Sequence, residues 1–198
     1  QDFGFSTVQG SIDNEIEVLR SKSMIKQAII DKDLYKEYRL KSRFNERVIY
    51  GSYPVNVDIT REEVNALTKG LTLSVVQPDS LTYTISYKYT TPLGKEMEYE
   101  KTVSALPYVV DSHIGKLVLS KGSSEALQPG QTLNISIVPP IRMAKSFLGR
   151  LSIEPTSKTT SIAYISLLDV SKQRGVDFVN SLVAAYNRES NNDKNIVA

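Results

Sequence analysis

The sequence predicts an α+β fold, in which helices at both ends of the chain pack on one face of a mostly antiparallel sheet. Apolar residues recur with the 3.6-residue period of a helix over residues 12–33 and 172–191. Between them, residues 71–137 alternate with the period of two that is typical of strands. The 198 residues are 40% hydrophobic, which suffices for one domain with an insertion. We therefore expect a core formed by residues 1–70 and 138–198 and a β-rich insertion formed by residues 71–137. The sheet of the core should include residues 55–59, 151–154 and 161–168.

The first helical pattern covers residues 12–33, with Asp13 as a predicted cap. Ser21 and Ser23 interrupt it, so we predict two short helices, residues 13–20 and 23–32, that meet at a bend near the serines.

Residues 35–60 are rich in Val, Ile and Tyr and predict two short strands, the second at residues 55–59. Thr60 followed by Glu63 has the spacing of a capping box, which predicts a helix of one or two turns over residues 61–67.

The predicted insertion consists of strands that alternate apolar and polar residues. The clearest segments are residues 71–75, 83–89, 117–119 and 133–137, and proline or glycine turns separate them. This pattern predicts an antiparallel meander with one buried face. A short helix over residues 143–148 and a strand over residues 151–154 follow it.

A strand and a long helix close the chain. Apolar residues fall on both parities of residues 162–168, so we predict a central strand that is covered on both faces. Asp169 and Ser171 are candidate caps for a helix that begins at Lys172 and continues to about Asn191. Its predicted buried stripe comprises Val176, Val179, Leu182, Val183 and Tyr186.

Composition argues against several classes of function. The 24 basic and 22 acidic residues are not clustered, which argues against nucleic-acid binding. With no cysteine and one histidine, a zinc site of the usual ligand types is not expected, and neither a nucleotide phosphate loop nor a calcium loop is present in the sequence. We expect no catalytic residue, no cofactor site and no metal site in this segment.

No segment has the roughly 20 consecutive apolar residues of a membrane helix, and the first ten residues lack the pattern of a signal peptide. The chain begins without Met, and its last ten residues continue a helix without Gly or Pro. We therefore expect a segment excised from a longer protein, although removal of a signal peptide would explain the missing Met equally well.

Two local features invite functional hypotheses. His113 lies beside Asp111 and Ser112, but neighbours on an extended segment point to alternating sides, so a surface turn before Gly115 is expected rather than a catalytic triad. The chain also has eleven tyrosines, which suggests a carbohydrate platform on the meander. Tyr83, Tyr87 and Tyr89 share a face with Ile85, which favours packing in the sheet over sugar binding.

Two terminal stretches resemble the chain-length determinant (Wzz) domain. Residues 14–23 (NEIEVLRSKS) and 24–38 (MIKQAIIDKDLYKEY) are similar to its helical segment with a downstream Leu-x-x-x-Tyr. Residues 161–166 (SIAYIS) and 180–186 (NSLVAAY) are similar to its closing strand and helix. The nearest variety is the Bacteroidetes-type exopolysaccharide tyrosine kinases, which carry an extra β-rich insertion. The similarity covers roughly the first 55 and the last 60 residues, and it is loose between them.

The resemblance implies a non-catalytic periplasmic domain of an inner-membrane polysaccharide co-polymerase. Such a domain forms homo-oligomers, sets the length of a surface polysaccharide and cooperates with the polymerase and export machinery and with the nascent polysaccharide. A cytoplasmic tyrosine kinase is fused to some members. The alternative that the tyrosines leave open is an extracytoplasmic carbohydrate-binding module. Because the stripe of the last helix is assigned to its own sheet, we predict a polar assembly face that includes Lys172, Arg174, Arg188 and Glu189.

Overall fold

The computed structural model describes residues 3–196, with side chains described for residues 11–193. The expectation of an excised segment depends on the chain ends, which lie outside the described residues. In chain order the elements are α1 (Phe3–Leu19), α2 (Lys22–Asp31), β1 (Lys36–Lys41), β2 (Glu46–Ile49), β3 (Val55–Asp58), α3 (Arg61–Ala66), β4 (Leu71–Val76), β5 (Tyr83–Thr90), β6 (Glu96–Val103), β7 (Tyr108–Ser112), β8 (Gly115–Lys121), β9 (Thr132–Ile137), α4 (Pro140–Leu148), β10 (Leu151–Pro155), β11 (Ala163–Leu167) and α5 (Lys172–Ile196). The α+β class with antiparallel sheets and terminal helices is confirmed.

The chain forms two compact units. The terminal unit combines the chain up to Leu34 with the chain from Pro140 onward, and the middle unit comprises Tyr35–Pro139. We expected the first boundary after residue 70. It falls earlier because β1 pairs with β9 along its whole length, so residues 36–41 belong to the same sheet as the predicted meander.

Two helices open the terminal unit and meet at the predicted bend. The Ser21 hydroxyl accepts a hydrogen bond of 3.3 Å from the Met24 N–H, which caps α2. Asp13 is not a cap, because α1 begins ten residues earlier and Asp13 lies on its exposed face.

The core of the terminal unit lies between α2, α4 and α5. Phe147 of α4 and Phe178 of α5 are fully buried and meet edge to face, with ring centroids 4.8 Å apart. The Ser181 hydroxyl of α5 donates to the Ala28 carbonyl of α2 at 2.8 Å. The predicted stripe of α5 is correct only in part: Leu182 is buried, but Val176 is 45% exposed and Val183 is 37% exposed.

The two strands of the terminal unit form a hairpin, in which β10 pairs with β11 and no other described strand joins them. The prediction that residues 162–168 form a central strand covered on both faces is therefore wrong for the described residues. Tyr164 is 73% exposed and Leu168 is 78% exposed. The apolar residues of both parities are present, but Ala163, Ile165 and Leu167 are only half-buried and the residues of the other parity are exposed.

The middle unit contains two further sheets, so the prediction of one sheet that joins residues 55–59, 151–154 and 161–168 is wrong. Six strands form an antiparallel sheet in the order β2-β1-β9-β4-β5-β6. The other sheet has the order β3-β8-β7. The Tyr38 hydroxyl of the first sheet accepts a hydrogen bond of 3.2 Å from the Val57 N–H of the second, and both residues are buried.

Alternation of residue type explains which face of the large sheet is buried. Leu73, Ile85 and Ile135 lie on the inner face and are fully buried. The outer face carries cross-strand polar pairs, such as Ser74 with Asn134 at 2.7 Å. Between β3 and β4 the predicted capping box is confirmed, because Thr60 and Glu63 bind each other's backbone N–H groups.

Candidate functional sites

An apolar groove runs between β11 and α5 in the terminal unit. It has a volume of about 400 Å³. Its apolar lining comes from the strand and from the first turns of the helix, and comprises Ile165, Leu167, Leu168, Val176 and Val179. Ser166, Asp169, Ser171, Lys172 and Asn180 supply its polar margin. We call this feature the β11–α5 groove.

The strand edge beside the groove is unpaired among the described residues. At the two ends of the β10–β11 ladder, the Thr156 N–H donates to the Ile162 carbonyl at 2.9 Å and the Leu168 N–H donates to the Arg150 carbonyl at 3.0 Å. Because backbone groups alternate in direction along an antiparallel strand, Ala163, Ile165 and Leu167 direct theirs away from β10. The edge can therefore accept a further strand.

A buried ion cluster fixes the start of α5 against the end of β11. The Asp169 side chain is 1% exposed and accepts hydrogen bonds of 2.7 Å from both Nε and Nη2 of Arg174. Arg150 donates to the Leu168 carbonyl at 2.9 Å and lies 3.5 Å from the Asp169 carboxylate. The Ser171 hydroxyl accepts from the Arg174 N–H at 3.2 Å and caps the helix.

The charge of Asp169 is maintained by these partners. Burial by itself would raise the pKa of the Asp169 carboxyl. The hydrogen bonds from Arg174 and from the Ser171 N–H, together with the positive charges of Arg174 and Arg150, outweigh burial and hold that pKa below its usual value. The cluster is therefore ionised at neutral pH and sets the angle at which strand and helix enclose the groove.

The four residues predicted for the assembly face lie in different environments. Lys172 is exposed and lines the β11–α5 groove. Arg188 and Glu189 are exposed and line a separate open depression of about 650 Å³ between α2 and α5, where Arg188 forms an ion pair with Asp31. Arg174 is buried in the pair with Asp169, so its assignment to an exposed assembly face is wrong. Its charge compensates a neighbouring carboxylate instead of facing a partner.

A second candidate surface is a cluster of rings in the middle unit, formed by Tyr87, Tyr89, Tyr99, Tyr108 and His113. We call it the aromatic cluster. Tyr87 stacks on Tyr99, its cross-strand partner, with ring centroids 4.9 Å apart. Tyr89 stacks on His113 at 4.8 Å with an angle of 14° between the ring planes. The cluster therefore joins strands of the large sheet to the turn between β7 and β8.

The cluster extends from the core to the surface. Tyr87 is 6% exposed and packs in the core, as the alternation of β5 predicts. Tyr89 is half-buried and His113 is exposed. His113 lies in the surface turn that the sequence predicts, and the Ser112 hydroxyl donates to the Gly115 carbonyl at 2.7 Å. The turn thus has the geometry expected of a tight reversal.

Two tyrosine hydroxyls lie beside the stacked rings. Those of Tyr99 and Tyr108 are 3.4 Å apart. Burial, the hydrogen bond to Tyr108 and the nearby negative charge of Asp111 raise the pKa of Tyr99 well above its usual value. Burial is also the main reason that the pKa of Tyr87 is raised. Both hydroxyls therefore remain protonated, and available for hydrogen bonds, throughout the physiological pH range.

The sequence contains a signal for each of these two surfaces, but each signal by itself predicts packing within the chain. The apolar residues of both parities in residues 162–168 indicate a need for covering, which we assigned to the chain itself. Tyr99, Tyr108 and His113 were missed as cluster members, because they are separated along the chain and only the register of β5 with β6 brings Tyr99 to Tyr87.

Membrane-spanning helices and metal-binding clusters are both absent from the part of the chain that the structure describes. Within residues 3–196 no helix is both long and apolar enough to cross a membrane. Within the same residues no three His, Cys, Asp or Glu side chains are grouped so that they could hold a metal ion.

Comparison with protein-family models and with curated protein sequences finds no match to this chain.

Proposed function

We propose that this chain is the periplasmic, non-catalytic domain of an inner-membrane polysaccharide co-polymerase, which regulates the length and export of a surface polysaccharide by forming homo-oligomers. The organisation of the terminal unit supports this proposal. The two stretches that resemble the chain-length determinant domain lie at opposite ends of the sequence, yet residues 14–34 of the first and the whole of the second fold into one unit, while residues 35–38 belong to the middle unit. Ser181 of the second stretch donates a hydrogen bond to Ala28 of the first, across 153 residues of sequence.

The observation that carries the proposal is the β11–α5 groove. A monomeric domain normally protects an edge strand with lysine, proline or a bulge. Residues 162–168 (IAYISLL) contain neither charge nor proline. An exposed, uncharged edge beside an apolar groove is typical of a surface that meets another chain. We assign the assembly contact of the oligomer to this groove.

The free energy of burial, compared with the free-energy cost of association, explains why the contact would depend on the membrane. Complete burial of one Val, Leu or Ile side chain contributes about 1.5–3 kcal/mol. The side chains of Ile162, Leu168 and Val170 are 64%, 78% and 81% exposed. Covering these three side chains, of which Leu168 lines the groove, would contribute roughly 3–7 kcal/mol. This is comparable to the ~4–15 kcal/mol of translational and rotational free energy that association costs. We therefore expect weak association in solution, and stable rings only where membrane anchors raise the effective concentration.

The proposal is tested with charged substitutions in the groove of the full-length membrane protein. Leu168→Glu and Val176→Glu place a carboxylate on side chains that are 78% and 45% exposed, so the fold should tolerate both. We expect smaller oligomers in cross-linking experiments, because a charge buried at the contact is costly. We also expect a loss of the narrow length distribution of the polysaccharide on gels.

Val18→Glu is the matched control. Val18 is 42% exposed and lies on α1, outside the lining of the groove. This variant should keep both the oligomer and the length distribution. If the groove variants behave like Val18→Glu at equal expression, the assignment of the assembly contact is wrong. If the oligomer changes and polysaccharide length does not, the assembly contact is correct and the function is wrong.

A further inference from the structure

The outer part of the aromatic cluster is exposed at the surface, and packing of the core does not account for it. Tyr87 already fills the inner face of the large sheet and is almost fully buried. Tyr89, two residues further along β5, continues the same face outward. Its ring lies parallel to that of His113, which is exposed in the turn between β7 and β8. Met97, the cross-strand neighbour of Tyr89, is 36% exposed. Ring faces and a thioether thus lie together at the surface.

Polar groups border these rings. The hydroxyls of Tyr99 and Tyr108 lie 3.4 Å apart and can each donate or accept. The carboxylate of Asp111 lies 3.5 Å from the ammonium group of Lys116, and both side chains are more than 70% exposed. His113 stacks on Tyr89 with one ring face and is exposed, so its outer ring face is open to the C–H groups of a ligand, and the nearby hydroxyls and carboxylate offer polar atoms for hydroxyl groups.

We propose that the Tyr89–His113 face of the aromatic cluster binds neutral pyranose units of a polysaccharide chain. The choice of a polysaccharide as ligand rests on the proposed function. The pyranose C–H face would stack on the outer face of the His113 ring, which Tyr89 supports on its other face at 4.8 Å, and the sugar hydroxyls would hydrogen-bond to the carboxylate of Asp111. A neutral sugar fits better than a uronic acid, because the exposed Asp111 carboxylate would repel a second carboxylate and the ammonium group of Lys116 is already paired with it at 3.5 Å.

The single histidine of the chain gives a direct assay. Because His113 is the only histidine, its ring C–H signals in a proton–carbon NMR spectrum need no assignment. The purified 198-residue protein is titrated with maltohexaose, cellohexaose, mannohexaose and galactohexaose, each up to 20 mM, and with hexagalacturonate. We expect at least one neutral hexasaccharide to shift the His113 signals in a saturable way, and hexagalacturonate to shift them less.

Substitutions test whether the shift of the His113 signals comes from binding at the aromatic cluster. Tyr89→Ala should weaken binding at least tenfold, whereas Tyr89→Phe, which keeps the ring, should stay within about threefold of the wild-type value. Tyr164→Ala removes a tyrosine that is 73% exposed in the terminal unit, and it should bind like wild type. Circular dichroism checks that each variant is folded. His113→Ala is measured by calorimetry and should also weaken binding.

Three outcomes overturn the inference: no saturable shift with any neutral hexasaccharide, a stronger response to hexagalacturonate, or equal binding by Tyr89→Ala and wild type. None of these outcomes depends on the β11–α5 groove. A negative titration alongside altered oligomers in Leu168→Glu would therefore refute this inference alone. A positive titration, combined with groove variants that change the oligomer but not the polysaccharide length, would instead refute the proposed function and leave the saccharide site in place.

Discussion

Asp169 should be the most sensitive polar residue of the terminal unit. Its carboxylate is 1% exposed and forms two hydrogen bonds of 2.7 Å to Arg174, whose side chain is 8% exposed. Asp169→Asn keeps the shape of the side chain and removes its charge. Removing one partner of a buried ion pair typically costs about 3–5 kcal/mol, because the other charge remains buried and uncompensated. Arg174 retains some exposure and the amide still accepts one hydrogen bond, so we expect a loss of about 2–3 kcal/mol in the free energy of unfolding.

The pH dependence follows from the direction of the pKa. The partners of Asp169 hold its pKa in the folded state below the usual value near 3.8. Its contribution to stability is therefore complete above the unfolded-state pKa and disappears as the pH falls through the folded-state pKa. The difference between wild type and Asp169→Asn should be constant between about pH 5 and 8 and should shrink below about pH 4.

Urea unfolding monitored by circular dichroism at 222 nm measures this effect specifically in the terminal unit. All the helices of the described chain except α3, which has six residues, lie in the terminal unit. Arg188→Ala is the control, because Arg188 lies on the same helix and pairs with Asp31 while 56% exposed. Exposed pairs contribute roughly 0–1 kcal/mol. If Asp169→Asn is no more destabilising than Arg188→Ala, or if its effect persists unchanged at pH 3, the role assigned to the buried cluster is wrong.

Two further predictions concern the middle unit. Gly122→Ala should destabilise it by about 2–3 kcal/mol in urea unfolding monitored by tyrosine fluorescence, because a Cβ at Gly122 would lie 1.8 Å from the Tyr53 carbonyl oxygen. Gly149→Ala in the terminal unit, whose Cβ would have no neighbour closer than 3.7 Å, should cost less than about 1 kcal/mol in urea unfolding monitored by circular dichroism at 222 nm, and equal effects of the two substitutions would contradict the argument. In an alkaline titration followed at 295 nm, Tyr99 should ionise only well above pH 10, because burial and its hydrogen bond raise its pKa. Tyr87 and Tyr186 also contribute to the late phase, because burial raises their pKa, so Tyr99→Phe should reduce that phase and leave the early phase unchanged. A wild-type protein in which all tyrosines titrate together would refute the prediction.

Short sequence patterns predicted much of the secondary structure, because they depend only on residues that are close together in the chain. Thr60 and Glu63 lie three residues apart, and this spacing alone determines the capping box. The alternation of β4, β5 and β9 identifies their buried faces without reference to their partners. Neither pattern specifies which strands pair, so the insertion of β9 between β1 and β4 could not be read from them.

The environment of charged residues was the least predictable part of the candidate sites. Arg174 and Arg188 both occur on α5, and the sequence gives them the same polar character. Arg174 is buried because Asp169, five residues earlier, turns back from the end of β11 and accepts hydrogen bonds from its Nε and Nη2. Arg188 lies further along α5, away from Asp169, and its side chain remains 56% exposed. The difference depends on the path of the chain before α5, which helical periodicity does not encode.

The failure of the central-strand prediction is itself informative about assembly. Residues 162–168 have the apolar pattern of a strand that is covered on both faces, and the described chain provides β10 on one edge and part of α5 on one face. A strand that is exposed throughout its function would be expected to carry lysine or proline, because an unprotected apolar edge promotes aggregation. The pattern is therefore explained if a partner covers the strand, which is the role that the proposed function gives to the β11–α5 groove. A contact of this kind is apolar and extended, and in this respect it differs from the ion-paired helix face that the charges of α5 alone suggested.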